Sequence, residues 1–389
     1  MKLTIPRDAL LSAIERARHV IERRNTIPIL SNVLLKARDA ALALTGTNLD
    51  MEVRTTAAAE ISTPGAVTVP AQVLYDFVRK LPEGAQVQVE ALSSSLLIKS
   101  GRSRVTLNTM PDADFPELAA GDFPNTFDLH AATLATMIER VSFAISSEET
   151  RYYLNGIYLH VPAEPDAPEQ AQSAVANGAT TSDGPCLRAV ATDGHRLARH
   201  QVLAPEGAAG MAGIILPRKA VLEIVRLLKP LGEEKVTLAV STTKLRLTAG
   251  VTTLTTKLID GTFPDYGRVI PAGNDKLAAM ETAALAASVD RVTTVTSDRG
   301  RAVKFSFAAG QPLTLSVRNP DSGDAADEVD GTFEGEPLEI GFNGKYVLEI
   351  LSAMPGKQMR VALGDPGSPA LFTPEGDDTS LFVLMPMRV

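Results

Sequence analysis

Apolar residues recur at helical spacing in six segments of this chain, and most of the remainder alternates between apolar and polar positions. ALLSAIERARHVI from Ala9, TLATMIERVSFAI from Thr133 and ALAASVDRVTTVT from Ala284 each predict an amphipathic helix. All three carry an acid-arginine pair in register: Glu15-Arg16, Glu139-Arg140 and Asp290-Arg291. A second set follows in TVPAQVLYDFVRKLP around Val69, ILPRKAVLEIVRLLKP around Leu216 and GFNGKYVLEILSAMP around Phe342. There Asp76, Glu223 and Glu349 fall at matching positions, and Pro70 and Pro217 sit where a helix start tolerates proline. Short alternating strands follow each second helix, as in VQVEALSSSLLIKSGRSRVTLNTM, and the last strands of the first two sets end alike, in ADFPEL and GTFPDY.

The pattern is a threefold repeat. First helices are offset by 124 and 151 residues, second helices by 147 and 126, so the middle repeat holds an excess of 23 residues between its two helices. The segment AEPDAPEQAQSAVANGATTSDGP, Ala163–Pro185, supplies it; it is rich in Ala, Pro, Gly and Ser and poor in large apolar residues, which predicts an exposed hairpin tip. Domains of about 125 residues follow, with boundaries at 1–125, 126–266 and 267–389. Each reads helix, strands, helix, strands, without the strand-helix-strand units that parallel sheets need. The predicted class is α+β with antiparallel sheets.

Composition agrees with several ordinary cores: 389 residues, 44% hydrophobic and 22% charged. The opening MKLTIPRDALLSAIER has no unbroken apolar run, so neither a signal peptide nor a membrane span is expected and the expected location is the cytoplasm. Cys186 is the single cysteine, which permits no disulfide within the chain and no cysteine zinc site; a buried or incidental thiol is its plain reading. Net charge is −8, yet the six helical segments hold 14 Lys or Arg against 8 Asp or Glu. Positive charge is thus gathered on the helices, led by Arg16, Arg18, Arg23, Arg24, Arg218, Lys219, Arg226 and Lys229, inside a more acidic remainder. A solvated face is one account of this; a surface for a polyanion is the other. With 5% aromatic residues and no tryptophan, such a surface suits duplex phosphates better than stacked single strands.

The stretch ATDGHRLARH, Ala191 to His200, looks like chemistry, and the repeat tests it. GTNLDMEV in repeat one and VRNPDSGDAADEV in repeat three keep the turn but not the Asp-Gly-His-Arg group. Strand alternation separates His195 from His200, and no carboxylate lies at a spacing that completes a zinc or iron site. No GxSxG, HExxH, GxxxxGK[ST] or GxGxxG motif occurs, and GAAGMAG at Gly207–Gly213 has the spacing of a turn. An enzyme acting through Asp193 and His195 is the rival class, and a repeat scaffold that binds no DNA is a third.

The chain resembles the bacterial sliding clamps, the beta subunits of DNA polymerase III, from MKLTIPRDALL to MPMRV. The resemblance rests on TIPILSNVLL, LTGTNLDMEV, KSGRSRVTLNTMPDADFP, RYYLNG, ATDGHRLA, LPRK, DGTFPDY, EIGFN and MPMR. It implies a clamp fold: a head-to-tail homodimeric ring, helices lining a hole for double-stranded DNA, no cofactor, no metal, no catalysis and no membrane. It also implies an apolar pocket between the second and third domains for short peptides of the DNA polymerase III alpha subunit, the clamp-loader complex, and other polymerases and repair proteins. The implied pocket wall is Leu154, Thr192, Gly194, His195, Arg196, Leu197, Pro264, Arg268, Val269, Asn343, Tyr346, Val383, Met385, Pro386, Met387 and Arg388, with Arg196 and Arg268 offering hydrogen bonds to the peptide. Implied DNA contacts are Arg24, Tyr152, Tyr153, Arg218 and Lys219. The implied dimer contact sets Arg102, Arg104, Val105 and Leu107 against the edge around Thr294 and Val295, with Asp324, Asp327 and Glu328 facing the two arginines. Two positions depart from the family pattern: Gly300 where an aromatic residue belongs at the pocket rim, and Glu148 ahead of RYYLNG.

Overall fold

A computed structural model describes residues 1–22, 26–119, 121–162, 184–296 and 302–389. Residues 163–183 of the predicted insertion, Arg24 and Gly300 lie outside the described residues. Among those described are six α-helices, Arg7–Arg18, Ala71–Arg79, Ala131–Ser142, Arg218–Leu228, Thr282–Thr293 and Gly344–Ala353, at the six predicted places. The first is shorter than its apolar pattern, which runs on past Arg18; the backbone tightens there as Ile21 N–H donates to the Arg18 carbonyl at 3.0 Å. No helix among the described residues is long and apolar enough to cross a membrane.

Each helix is entered directly from a strand. Lys2–Pro6, Gly65–Pro70, Asn125–His130, Ile214–Pro217, Lys276–Glu281 and Leu338–Asn343 all end at the residue before a helix begins. Proline at three of these junctions gives a fixed φ and a nitrogen that needs no partner at the point where the ladder ends. The first helix of each repeat is then anchored by one recurring backbone bond. Arg7, Ala131 and Thr282 donate to the carbonyls of Ala85, Glu234 and Lys357 at 2.8, 2.8 and 2.9 Å, each acceptor standing immediately before a strand.

The chain divides into two compact units. Met1–Ala135 with Leu222–Leu258 hold a five-stranded sheet, in the order Glu60–Thr63, Lys2–Pro6, Gln86–Ala91, Ser95–Ser100, Ser103–Asn108. The same unit holds an eight-stranded sheet whose middle joins repeat two to repeat one, Thr252–Lys257 lying antiparallel to Met51–Ala58. Leu3, Ile5, Leu10, Ile14, Leu35, Leu44, Val69, Leu74, Val89 and Ile98 form its core under the Arg7–Arg18 and Ala71–Arg79 helices.

Thr136–Val221 with Ile259–Val389 hold a nine-stranded sheet that joins repeat two to repeat three in the same manner, Arg196–Leu203 lying antiparallel to Ser380–Leu384. A four-stranded sheet runs Gly323–Val329, Leu313–Asn319, Ala302–Phe307, Leu338–Asn343. All these ladders are antiparallel, as the alternation predicts. Ser103–Asn108 and Gly323–Val329 each stand at the end of their sheet among the described residues.

Candidate functional site

In the second unit the TDGHRL turn is built before it is used. Thr192 and Arg196 frame it, the Thr192 hydroxyl donating to the Arg196 carbonyl at 2.7 Å and accepting from Gly194 N–H at 3.1 Å. Asp193 accepts from the backbone N–H groups of His195 and Arg196 at 2.9 and 3.0 Å, and from Arg196 Nε at 3.1 Å. Gly194 holds φ +88°, a conformation that strains any L side chain, so the turn needs glycine there. With its oxygens bonded in this way, Asp193 orients the turn rather than an imidazole, and no Asp193–His195 relay is built. His195 is exposed, whereas His200 is buried and bonded through Nδ1 to Ser380 Oγ at 2.8 Å. Burial, with Arg140 nearby, lowers the pKa of His200 to about 4 against a smaller opposing effect of Asp377.

Arg196 is the hub of the turn. Besides Asp193 it bonds Glu349 through Nη1 and the Phe143 carbonyl through Nη2 at 2.7 Å, and its guanidinium stands 4.2 Å from the Tyr346 ring centroid and 5.0 Å from that of Phe143. It is 8% exposed, and three of its five N–H donors fasten the turn to Asp193, to Glu349 and to the Phe143 carbonyl. Sequence reading missed Glu349 as its partner, although a signal existed. Asp76 and Glu223, at the matching position, pair with arginines three residues on, Arg79 and Arg226; Glu349 has Ser352 there instead and reaches Arg196.

The remaining predicted wall residues fall around one apolar cluster. Leu154, Leu197 and Val383 pack with Val190, Ile215, Phe263, Ile270 and Leu371. The stretch from Pro264 to Val269 is pinned to this cluster through Phe263, Tyr266 and Ile270, while Pro264, Arg268 and Val269 face solvent. Arg268 is exposed and paired with Asp265 at 2.9 Å. Two backbone bonds hold the tail: Met385 N–H donates to the His195 carbonyl at 2.9 Å and Met387 N–H to the Gly341 carbonyl at 2.8 Å. Pro386 is half-buried between them, and Met385, Met387 and Arg388 are exposed. Asn343 is buried as the cap of the Gly344–Ala353 helix, accepting from Lys345 and Tyr346 N–H at 3.1 and 3.4 Å, and the rings of Tyr346 and His195 stand 6.4 Å apart. A large cleft of about 810 Å³ lies elsewhere, in the first unit; Glu15, Arg16, His19, Glu223 and Arg226 line it, and it shares no residue with the predicted pocket.

Of the predicted DNA residues, Tyr152 is 53% exposed and meets Tyr153 edge-on at 5.7 Å, while Tyr153 packs on the apolar cluster. Arg218 and Lys219 are the exposed first residues of their helix. Glu148, the departure noted beside this group, is bonded by Arg151 and by the Thr150 hydroxyl at 2.8 Å; the Arg151 bond foremost holds its carboxyl below the usual range.

Matches to known proteins decide the family. Residues 1–119, 128–265 and 267–388 match the models of the N-terminal, central and C-terminal domains of the DNA polymerase III beta subunit. The chain belongs to the beta sliding clamp family. It is 44% identical to the beta sliding clamp of Caulobacter vibrioides and 35% to that of Escherichia coli, each over the full length of both chains. Among solved structures it is similar to the Bartonella birtlesii sliding clamp bound to griselimycin, with TM-score 0.92, 44% identity and full coverage of both chains. Members of this family are non-catalytic processivity factors of the polymerase holoenzyme in DNA replication, and that is the function of this chain. The enzyme reading of Asp193 and His195 falls with it.

Proposed function

We propose that two copies of this chain join head to tail into a ring around double-stranded DNA and that the ring tethers the replicative polymerase through the apolar surface around Leu154, Leu197 and Val383. One observation carries the dimer. The chain makes the same strand junction twice, Thr252–Lys257 on Met51–Ala58 and Ser380–Leu384 on Arg196–Leu203, each time the last strand of one repeat against the middle hairpin of the preceding one. The strands left over are Ser103–Asn108, a last strand, and Gly323–Val329, a middle hairpin. A third junction of the same kind, made between copies, covers these two edges, and two such contacts close a ring.

In this reading the three domains are 1–125, 126–266 and 267–389. Arg102, Arg104, Val105 and Leu107 meet the edge that follows Thr294 and Val295. Arg24, Tyr152, Tyr153, Arg218 and Lys219 touch DNA phosphates without reading sequence, since sliding needs weak, non-specific contacts. The peptide anchor, a leucine or phenylalanine side chain, is buried over Leu154, Leu197 and Val383, between the Pro264–Val269 wall and the Met385–Arg388 tail. Its owners are the DNA polymerase III alpha subunit, the clamp loader and other polymerases and repair proteins, and the ring works in the cytoplasm. Sedimentation at twice 41.3 kDa, with exchange of subunits on dilution, supports the dimer; a monomer at micromolar concentration refutes it.

A further inference from the structure

Each of the two junctions inside the chain is locked by the same three positions. At the first, Arg16 Nη1 donates to Thr252 Oγ1 at 3.3 Å, and Thr252 shares a hydrogen bond with Thr55 Oγ1, its direct partner across the ladder, at 3.0 Å. At the second, Arg140 Nη1 donates to Ser380 Oγ at 3.1 Å, and Ser380 meets His200 Nδ1, again its direct partner, at 2.8 Å. A first-helix arginine, a hydroxyl on the incoming strand and a polar group on the receiving strand thus form one clasp. The next backbone position repeats as well: Thr56 N–H donates to the Val251 carbonyl at 3.2 Å and Gln201 N–H to the Thr379 carbonyl at 2.8 Å.

The third repeat holds two of the three positions. Arg291 is the arginine in register with Arg16 and Arg140. Asp327 is the receiving group, because the Asx turns of Asn48, Asp193 and Asn319 align the three hairpins and the ladders then place Asp327 with Thr55 and His200. Arg291 Nε already bonds Asp327 Oδ2 at 2.7 Å, as does Ser288 Oγ at 2.9 Å. The incoming hydroxyl is missing. Its equivalent in the one last strand that is unpaired is Ser103, because the hairpin closing at Gly101 matches the one closing at Gly250, Ser100 opposite Ser103 as Ala249 is opposite Thr252. Glu328 N–H, which corresponds to the groups that bond the incoming carbonyl, is capped by Asp327 Oδ1 at 2.9 Å.

Building on the head-to-tail dimer proposed above, we infer that Ser103 of the partner subunit completes a clasp with Arg291 and Asp327, and that Asp327 caps the receiving edge until that strand arrives. In the closed contact Ser103 of the partner subunit stands opposite Asp327, and Glu328 N–H passes from the Asp327 carboxylate to the carbonyl of the partner subunit's Arg102. The junction between copies is therefore the ionic version of a clasp whose receiving group is a threonine or a buried histidine within the chain.

Cross-linking tests the register. Thr55 with Thr252 and His200 with Ser380 sit between the backbone-bonded pairs, where Cα atoms of facing strands are closest and a disulfide forms readily. Oxidised full-length Ser103→Cys/Asp327→Cys protein is expected to run as a covalent dimer, and Ser103→Cys/Ala325→Cys, two residues out of register, as a monomer. The reverse pattern overturns the clasp and leaves the dimer standing, whereas a chain that sediments as a monomer before oxidation overturns the dimer itself. With the cysteines absent, Ser103→Ala is expected to raise the dimer dissociation constant about fivefold. An unchanged dissociation constant in Ser103→Ala contradicts the clasp.

Discussion

Replacing Arg196 by alanine separates two accounts of the DGHRL turn. The side chain is 8% exposed, and its loss leaves the Asp193 and Glu349 carboxylates without their cation and the Phe143 carbonyl without a donor. Removing one partner of a buried pair costs about 3–5 kcal/mol. Glu349 is one-third open to solvent, which lowers that figure, while the bared carbonyl adds about 1 kcal/mol. A net loss of about 3–4 kcal/mol follows, which for a cooperative unit of roughly 200 residues corresponds to a fall of about 10 °C in midpoint. Scanning calorimetry of Arg196→Ala reads the midpoint, and titration of a leucine- or phenylalanine-anchored peptide at 15 °C reads the proposed peptide site. Both are expected to fall together, because the turn that carries the tail through the His195 carbonyl comes loose. An unchanged midpoint with weakened peptide binding refutes the reasoning and returns the guanidinium to the ligand.

Three further outcomes are expected. Deleting Met385 to Val389 abolishes peptide binding and leaves the sedimentation mass of the dimer unchanged, since this tail bonds His195 and Gly341 and neither edge strand includes it; a fall to monomer contradicts that separation. His200 titrates near pH 4 when folded and near 6.5 when unfolded, so the unfolded chain binds the extra proton and stability is lost as pH falls from about 6.5 to 4. Chemical denaturation of His200→Gln is expected to show a shallower loss over that window, and an identical acid limb sinks the assignment. Replacing 163–183 by a short turn leaves the melting midpoint within about 2 °C, because the flanking strands pair through Tyr158–Val190 and His160–Arg188 and the matching hairpin of repeat one closes on Asp39 and Ala40 alone.

What the sequence made legible follows from the range of the forces involved. The helices at Arg7, Ala71, Ala131, Arg218, Thr282 and Gly344 repeat an apolar stripe over several turns, which periodicity detects. The strands that feed them escaped it: KLTIP, GAVTVP and LEIGFN are five or six residues long, and a run that short does not distinguish strand from helix. The site divides likewise. The turn at Thr192–Arg196 is local and visible from its repeats, but the partners of Arg196 lie 53 and 153 residues away at Phe143 and Glu349. Local partners of the acids expected to face the arginines of a second copy were equally out of range: Asp327 bonds Arg291 and Ser288 of its own chain, and Asp324 pairs with Arg318 at 3.7 Å.

Topology of the bound DNA tests the central claim most directly. After loading onto a nicked circular duplex and removal of free protein by gel filtration at moderate salt, the chain is expected to stay with the circle. It should be lost within minutes once a single restriction cut linearises the DNA, because a ring that touches phosphates weakly is retained by linkage and not by affinity. Equal retention on the circle and on the cut DNA contradicts the ring.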